Sequence, residues 1–155
     1  MNCQFYPSCS NYFSLSIAKK GLLKGSIIGL DRIVRCNPAA VGYHLQQSKP
    51  EFHYDGRLVD NLYYNKNHST TNYNKWPVYL SIIPGMGRIY LGHKFDGIVS
   101  LAFVSLFSVV SYHSFYNNNN TPGFITGILA SFFWAADYYG AYRTAELNNQ
   151  DITYE

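Results

Sequence analysis

Apolar residues recur at helical spacing near the start of the chain, give way to an aperiodic polar middle, and return as two long runs toward the end. After Ser10, placed as a helix N-cap, Tyr12, Leu15 and Ala18, or Phe13 and Ile17, follow at helical intervals. They continue as far as Lys19-Lys20-Gly21, a basic last turn closed by glycine. From Leu22 to Arg35, the apolar Leu22, Leu23, Ile27, Leu30, Ile33 and Val34 share one face of a 3.6-residue repeat. Lys24, Asp31, Arg32 and Arg35 fall opposite, which predicts a second, amphipathic helix with a basic face. Gly25 and Gly29 sit one turn apart, each costing about 1 kcal/mol of helix propensity relative to alanine. That cost implies another backbone packed closely against them. Asn37-Pro38 ends the helix, because proline disfavours helical geometry in the residue before it.

Between residues 39 and 75 the periodicity is lost and Tyr, Asn, His and Ser dominate, the pattern of a linker with partial order between Phe52 and Leu62. Trp76 to Ile83 is apolar but falls short of the roughly 20 residues a helix needs to cross a bilayer. Broken at Pro84-Gly85-Met86-Gly87, it reads as an interfacial or re-entrant segment. Gly97 to Tyr116 has the required length, Asn117 to Gly123 is a polar turn, and Phe124 to about Tyr142 returns. The expected result is a two-helix transmembrane hairpin.

Composition agrees with this reading. Aromatic residues make up 17% of the chain against 14% charged, and no residue between Asp96 and Asp137 carries a formal charge, which fits a membrane protein better than a soluble one. Residues 1–76 hold nine Lys/Arg against four Asp/Glu, and residues 77–155 three against five, so the N-terminal half is the expected partner for polyanions. Lys75, Arg88, Lys94 and Arg143 flank the open end of the hairpin while its connecting loop is uncharged, which places both termini in the cytoplasm. The opening residues lack a basic region followed by an apolar run, so no export signal is expected there. Three cysteines suit a reducing compartment.

Catalytic groupings are not evident, since the five histidines are scattered and no nucleophile-base-acid set or paired carboxylates stand out. Cys3, Cys9, Cys36 and His44 lack the two tightly spaced ligand pairs of a structural zinc site. They read as small hydrophobes knitting the N-terminal loop to the second helix, and neither a metal nor a cofactor is expected. The glycine-rich stretch at Pro84–Gly97 is no phosphate loop, because no Lys-Ser/Thr pair follows and no strand precedes it. Asp137, near the cytoplasmic end of the second run, needs a cationic partner, and Arg143 and Arg88 are the candidates.

The block Cys3-Gln-Phe5-Tyr6-Pro7-Ser-Cys9-Ser10 with Tyr12, then Gly21-Leu-Leu-Lys-Gly25, then Arg32, Arg35, Cys36 and Pro38 resembles the YidD family of bacterial membrane protein insertion efficiency factors. The resemblance covers about residues 3–44 and implies a small non-enzymatic factor at the cytoplasmic face of the inner membrane, acting beside the insertase and translocon. The family's His-Pro-Trp and glycine-rich ending is represented here only by Asn37-Pro38 and Gly42. Pro84, Gly85, Gly87, Tyr90, Gly92 and Gly97 resemble the TM2-type module, in which a glycine-rich stretch with Tyr-x-Gly precedes a transmembrane hairpin.

The expected protein is mainly α, with a YidD-like cytoplasmic helical hairpin at 1–44, a linker at 45–75, a TM2-like membrane hairpin at 76–146 and a cytoplasmic tail at 147–155. Lys19, Lys20, Lys24, Arg32 and Arg35 are the expected contacts to anionic headgroups. Insertase or translocon, nascent membrane proteins and the ribosome are further candidate partners, and DNA is not one. The competing readings are a membrane-embedded sensor or structural protein with a degenerate N-terminal unit, and a cysteine-based metal or redox protein.

Overall fold

The computed structural model describes residues 4–37, 42, 52–60 and 75–151, the last five for their backbone alone. Helices α1 (Cys9–Lys20) and α2 (Leu22–Arg35) pack against each other as a hairpin about Gly21, whose φ of 81° is the left-handed conformation that glycine accepts without strain. The cap of the first helix lies two residues before the expected Ser10, and the helix begins at Cys9. Ser8 occupies the cap position, with its hydroxyl 3.3 Å from that of Ser10 rather than on a backbone amide. The close approach inferred from Gly25 is present: a Cβ there would lie 2.5 Å from the Ile17 Cα and the Ser16 carbonyl oxygen. Gly29 receives the ring of Phe13 in the same way.

A two-residue strand, β1 (Phe5–Tyr6), precedes α1 and pairs in parallel with β2 (Leu58–Val59), with Phe5 opposite Leu58 and Tyr6 opposite Val59. Backbone amides of Leu58 and Asp60 donate to the carbonyls of Gln4 and Tyr6, both at 3.0 Å. Phe5 and Leu58 are buried together under this ladder. Residues 58–60, within the expected linker, are thereby stitched to the N-terminal unit.

Two short helices, α3 (Trp76–Leu80) and α4 (Met86–Tyr90), lead into α5 (Lys94–Tyr116) and α6 (Asn120–Asp151). The connection between α5 and α6 is shorter than the polar turn the sequence suggested, because the Asn/Thr/Pro stretch from Asn120 already forms the first turn of α6. Pro122 lies in that opening turn, where its missing N–H costs nothing. The two long helices form an antiparallel hairpin, with Phe133 stacked on Phe103 and Phe107 at 4.8 and 5.4 Å between ring centroids and the Ser111 hydroxyl donating to the Gly123 carbonyl at 2.7 Å. Among the described residues, α5 is the one helix long and apolar enough to cross a membrane by length and composition. The helix α6 runs well past the expected end at Tyr142, into the stretch expected as a tail.

Candidate functional site: a buried charge network beneath a basic turn

The second helix buries most of the charged stripe that was expected to be solvated. Its buried residues are Gly25, Gly29, Asp31, Arg32, Val34 and Arg35, whereas Leu22 and Leu23 are 70% and 68% exposed. Arg32 and Arg35, expected on a solvated headgroup-binding face, are 0% and 7% exposed. Both bind carboxylates brought from elsewhere in the chain. The amphipathic pattern located the two stripes of the helix, but Asp31, Arg32 and Arg35 of the charged stripe find partners inside while Lys24 stays exposed, and Leu22, Leu23 and Ile33 of the apolar stripe face outward while Val34 is buried.

Asp60, delivered by the β1–β2 ladder, is the first of those partners. Its Oδ2 lies 3.1 Å from Arg32 Nη1 and 3.2 Å from Arg35 Nη1, and its Oδ1 accepts a bond from Arg143 Nη2 at 2.9 Å. Arg32 also donates to the Pro7 carbonyl at 3.1 Å and lies between the rings of Phe5 and Tyr12, 4.3 and 4.5 Å from their centroids. Phe5, Pro7, Tyr12 and Arg32, four of the motif residues, are thus one physical unit. The stacked rings suit the flat guanidinium, which is more weakly hydrated than an ammonium.

Asp31 is the second hub. It accepts from Arg35 Nε at 3.0 Å and, through its other oxygen, from Arg88 Nη2, while Arg143 Nη1 stands 4.0 Å away. Arg88 continues to Asp137, with Nε to Oδ1 at 3.0 Å, and donates to the Ala136 carbonyl at 3.3 Å. Asp137 therefore takes Arg88 as its partner, and Arg143, the other candidate, turns to Asp60 and Asp31. The remaining Asp137 oxygen accepts the Gly85 amide at 2.8 Å, and Gly85 adopts a left-handed φ of 81° where a Cβ would meet the backbone of Gly97. Gly140 leaves the space that Arg88 and Asp31 fill, since a Cβ there would collide with both. Asp96 completes the set, accepting from Asn37 and standing 4.0 Å from Arg88 and 3.5 Å from His93.

Burial penalises the charged forms of Asp31, Asp60, Arg32 and Arg35, so their charge states rest on neighbours. For Asp31 and Asp60 burial alone would raise the carboxyl, yet the surrounding arginines outweigh it and hold both below the ordinary value of 3.8. Arg35 is likewise raised despite burial, by Asp31 and Asp60. Burial draws Arg32 downward, with Asp60 opposing. Asp31, Asp60, Asp96 and Asp137 balance Arg32, Arg35, Arg88 and Arg143.

Other sequence-selected residues are dispersed. Lys19, Lys20 and Lys24 are exposed around the α1–α2 turn. Tyr6 stacks on His53 with 3.8 Å between centroids, Cys9 opens α1, Ser10 is exposed, and Cys36 is exposed at the end of α2. Pro84 is half-buried, Gly87 is buried, Tyr90 is 59% exposed, and Gly92 ends α4 with a left-handed φ of 90°. Cys3, Pro38 and His44 lie outside the described residues, as does the Asn61–Asn74 part of the expected linker.

Asp31 and Asp60 were not among the residues the sequence singled out. The available signal was Asp31 placed four residues before Arg35, a helical ion-pair spacing, together with the unpaired acid at Asp137 and the few cations available to it.

Comparison with known proteins bears on the N-terminal part of this network. A family model described as "Putative membrane protein insertion efficiency factor" matches here. The match to this family, YidD, covers residues 1–45. Over 40 residues the chain is 58% identical to the insertion efficiency factor of Thermotoga maritima, covering 26% of this chain and 49% of that protein. The corresponding protein of Protochlamydia amoebophila is 46% identical over 44 residues, 28% of this chain and 54% of its own length. That of Nitrosomonas europaea is 51% identical over 37 residues, 24% and 54% respectively. The chain spans about half the length of the curated relatives it matches. No solved structure matches it significantly. The matched segment supplies Asp31, Arg32 and Arg35, and residues beyond it supply Asp60, Arg88, Asp137 and Arg143.

Proposed function

We propose that this protein is an insertion efficiency factor held at the bacterial inner membrane by its own helical hairpin. In this reading α5 and the apolar part of α6 cross the bilayer, residues 84–97 act as a TM2-like entry to the hairpin, and both termini are cytoplasmic. The factor is non-enzymatic. It holds Lys19, Lys20 and Lys24 at the cytoplasmic surface, where they meet anionic headgroups and the insertase or translocon with its nascent chain, and the ribosome is a further partner. The observation that carries the reading is the chain of bonds from Asp31 through Arg88 to Asp137, which fixes a YidD segment directly on an apolar hairpin. A segment fixed in that way acts at a high effective concentration near membrane clients. The outward residues Leu106, Val109 and Ile128, each more than half exposed, suit hydrocarbon better than water.

The test is site-specific photocrosslinking in native membranes from Tyr6 and Lys24. Capture of insertase or of ribosome-bound nascent chains is the expected result. Lipid adducts alone, together with unimpaired membrane protein insertion in cells carrying Lys19→Glu, Lys20→Glu and Lys24→Glu, would leave an anchored basic module and end the insertion reading. Arg32 and Arg35 are unsuitable for this purpose, because reversing a buried charge disrupts the fold before it reports on any partner.

A further inference from the structure

An apolar cavity of about 710 Å³ lies between α2 and α6, walled by Ile27, Ile28, Trp134, Ala135 and Tyr138, with Lys24 as the one charged residue of its lining. The two helices are fastened at the Asp31 end by the arginine network. Toward Lys24, α2 leans on α1 through Gly25 instead. Ala135 lines the cavity beside Trp134 and Tyr138 and carries the smallest side chain of its wall. Trp134 is fixed as a wall, because its indole N–H donates to the Ser81 carbonyl at 3.2 Å.

We propose that this cavity holds one acyl chain of an anionic phospholipid whose phosphate is bound by the Lys24 ammonium. Water is a poor occupant, since it needs two to four polar partners and these walls are hydrocarbon and aromatic. Size argues against a client helix, because a membrane-spanning helix about 30 Å long and 10 Å across needs several times this volume. A single lipid chain suits a cavity within the roughly 300–1,000 Å³ of small-molecule sites. Charge selects the headgroup: Lys24 is exposed at the mouth on a flexible stem, and basic pockets beside membrane helices on the cytoplasmic side take anionic lipids. Trp134 and Tyr138, each about half exposed, are the residue types that sit at headgroup depth. The site rests on the membrane placement proposed above, but it is independent of the insertion role.

The experiment uses the full chain in nanodiscs of phosphatidylcholine and phosphatidylglycerol, with a trace of either lipid carrying a photoactivatable group in one acyl chain, and maps adducts by peptide mass spectrometry. Phosphatidylglycerol adducts should concentrate on Ile27, Ile28 and Tyr138 relative to Leu106 and Val109 on the outer face of α5. Ala135→Trp should remove that concentration by filling the cavity. Lys24→Gln, an exposed change that leaves packing alone, should lower the phosphatidylglycerol yield there about fivefold while the phosphatidylcholine yield stays level. Labelling spread evenly over α5 and α6, unchanged by both variants, overturns the site and leaves the membrane placement standing. Loss of the Ile27 and Ile28 adducts to a competing apolar helical peptide would assign the cavity to a polypeptide and also overturn it. No lipid label even on α5 would remove the membrane placement and the site together.

Discussion

Arg143 reaches Asp60 across 83 positions of sequence, Nη2 to Oδ1 at 2.9 Å, and so binds the late turns of α6 to the ladder that closes the N-terminal unit. The same carboxylate receives Arg32 and Arg35. One aspartate therefore joins three parts of the chain that share no local structure.

Removing Arg88 should be the most damaging single change in the network. Arg88→Leu leaves Asp31 and Asp137 buried with their shared cation gone, a loss of about 3–5 kcal/mol by analogy with other broken buried pairs. In a double-mutant cycle, Asp31→Leu combined with Arg88→Leu should cost clearly less than the sum of the two single changes. Unfolding in mixed micelles, followed by circular dichroism, measures both.

Gly25→Ala tests the helix contact by its sign. Propensity alone would make alanine the better residue by about 1 kcal/mol. With the new Cβ placed 2.5 Å from the Ile17 Cα, the two helices must separate, and overpacking of this kind costs about 1–3 kcal/mol. A lowered thermal midpoint is expected, and a raised one would refute the close approach.

Acid should unlock the assembly through Asp31 and Asp60. Both carboxyls are lower in the folded protein than the ordinary 3.8, so their stabilisation is complete above that value and is lost as the pH falls through the depressed folded values. Thermal stability should be flat in this respect from neutral pH to about 5 and should decline below about 4. Asp60→Asn should be less stable at neutral pH and show a shallower acid limb.

Exposed and buried cations should separate cleanly in binding experiments. Replacing Lys19, Lys20 and Lys24 together with Gln should leave the unfolding midpoint unchanged and weaken binding to anionic vesicles, each lysine contributing about 1 kcal/mol. Arg32→Gln should do the reverse, lowering stability by about 1–3 kcal/mol through the lost bonds to Asp60 and the Pro7 carbonyl, with Arg35 and Arg143 still facing Asp60.

The helical elements were legible because their signals are local. Periodicity gave α2 its bounds, and the stretch without charges between Asp96 and Asp137 marked the long hairpin. The two-residue strands were illegible, since Phe5-Tyr6 and Leu58-Val59 are too short to alternate and pair only through the tertiary fold. The direction of α2 was illegible for a different reason. A hydrophobic stripe identifies two faces, and the choice of the inner one depends on what lies opposite. Here that is Asp60, Arg88 and Arg143, none of them near α2 in sequence. The need of Asp137 for a cation was readable from its apolar surroundings, whereas the three-way sharing of Asp60 was not.

The buried charges of α2 also impose an order on synthesis. Asp31, Arg32 and Arg35 leave the ribosome before Asp60, and well before Arg88, Asp137 and Arg143, so the N-terminal segment exists for a time with only its local pairs, Asp31 with Arg35 and Arg32 with the Pro7 carbonyl, to match its polar stripe. Its final partners arrive only when the hairpin is made, and closure of the structure is therefore a late event that waits on the delivery of α6.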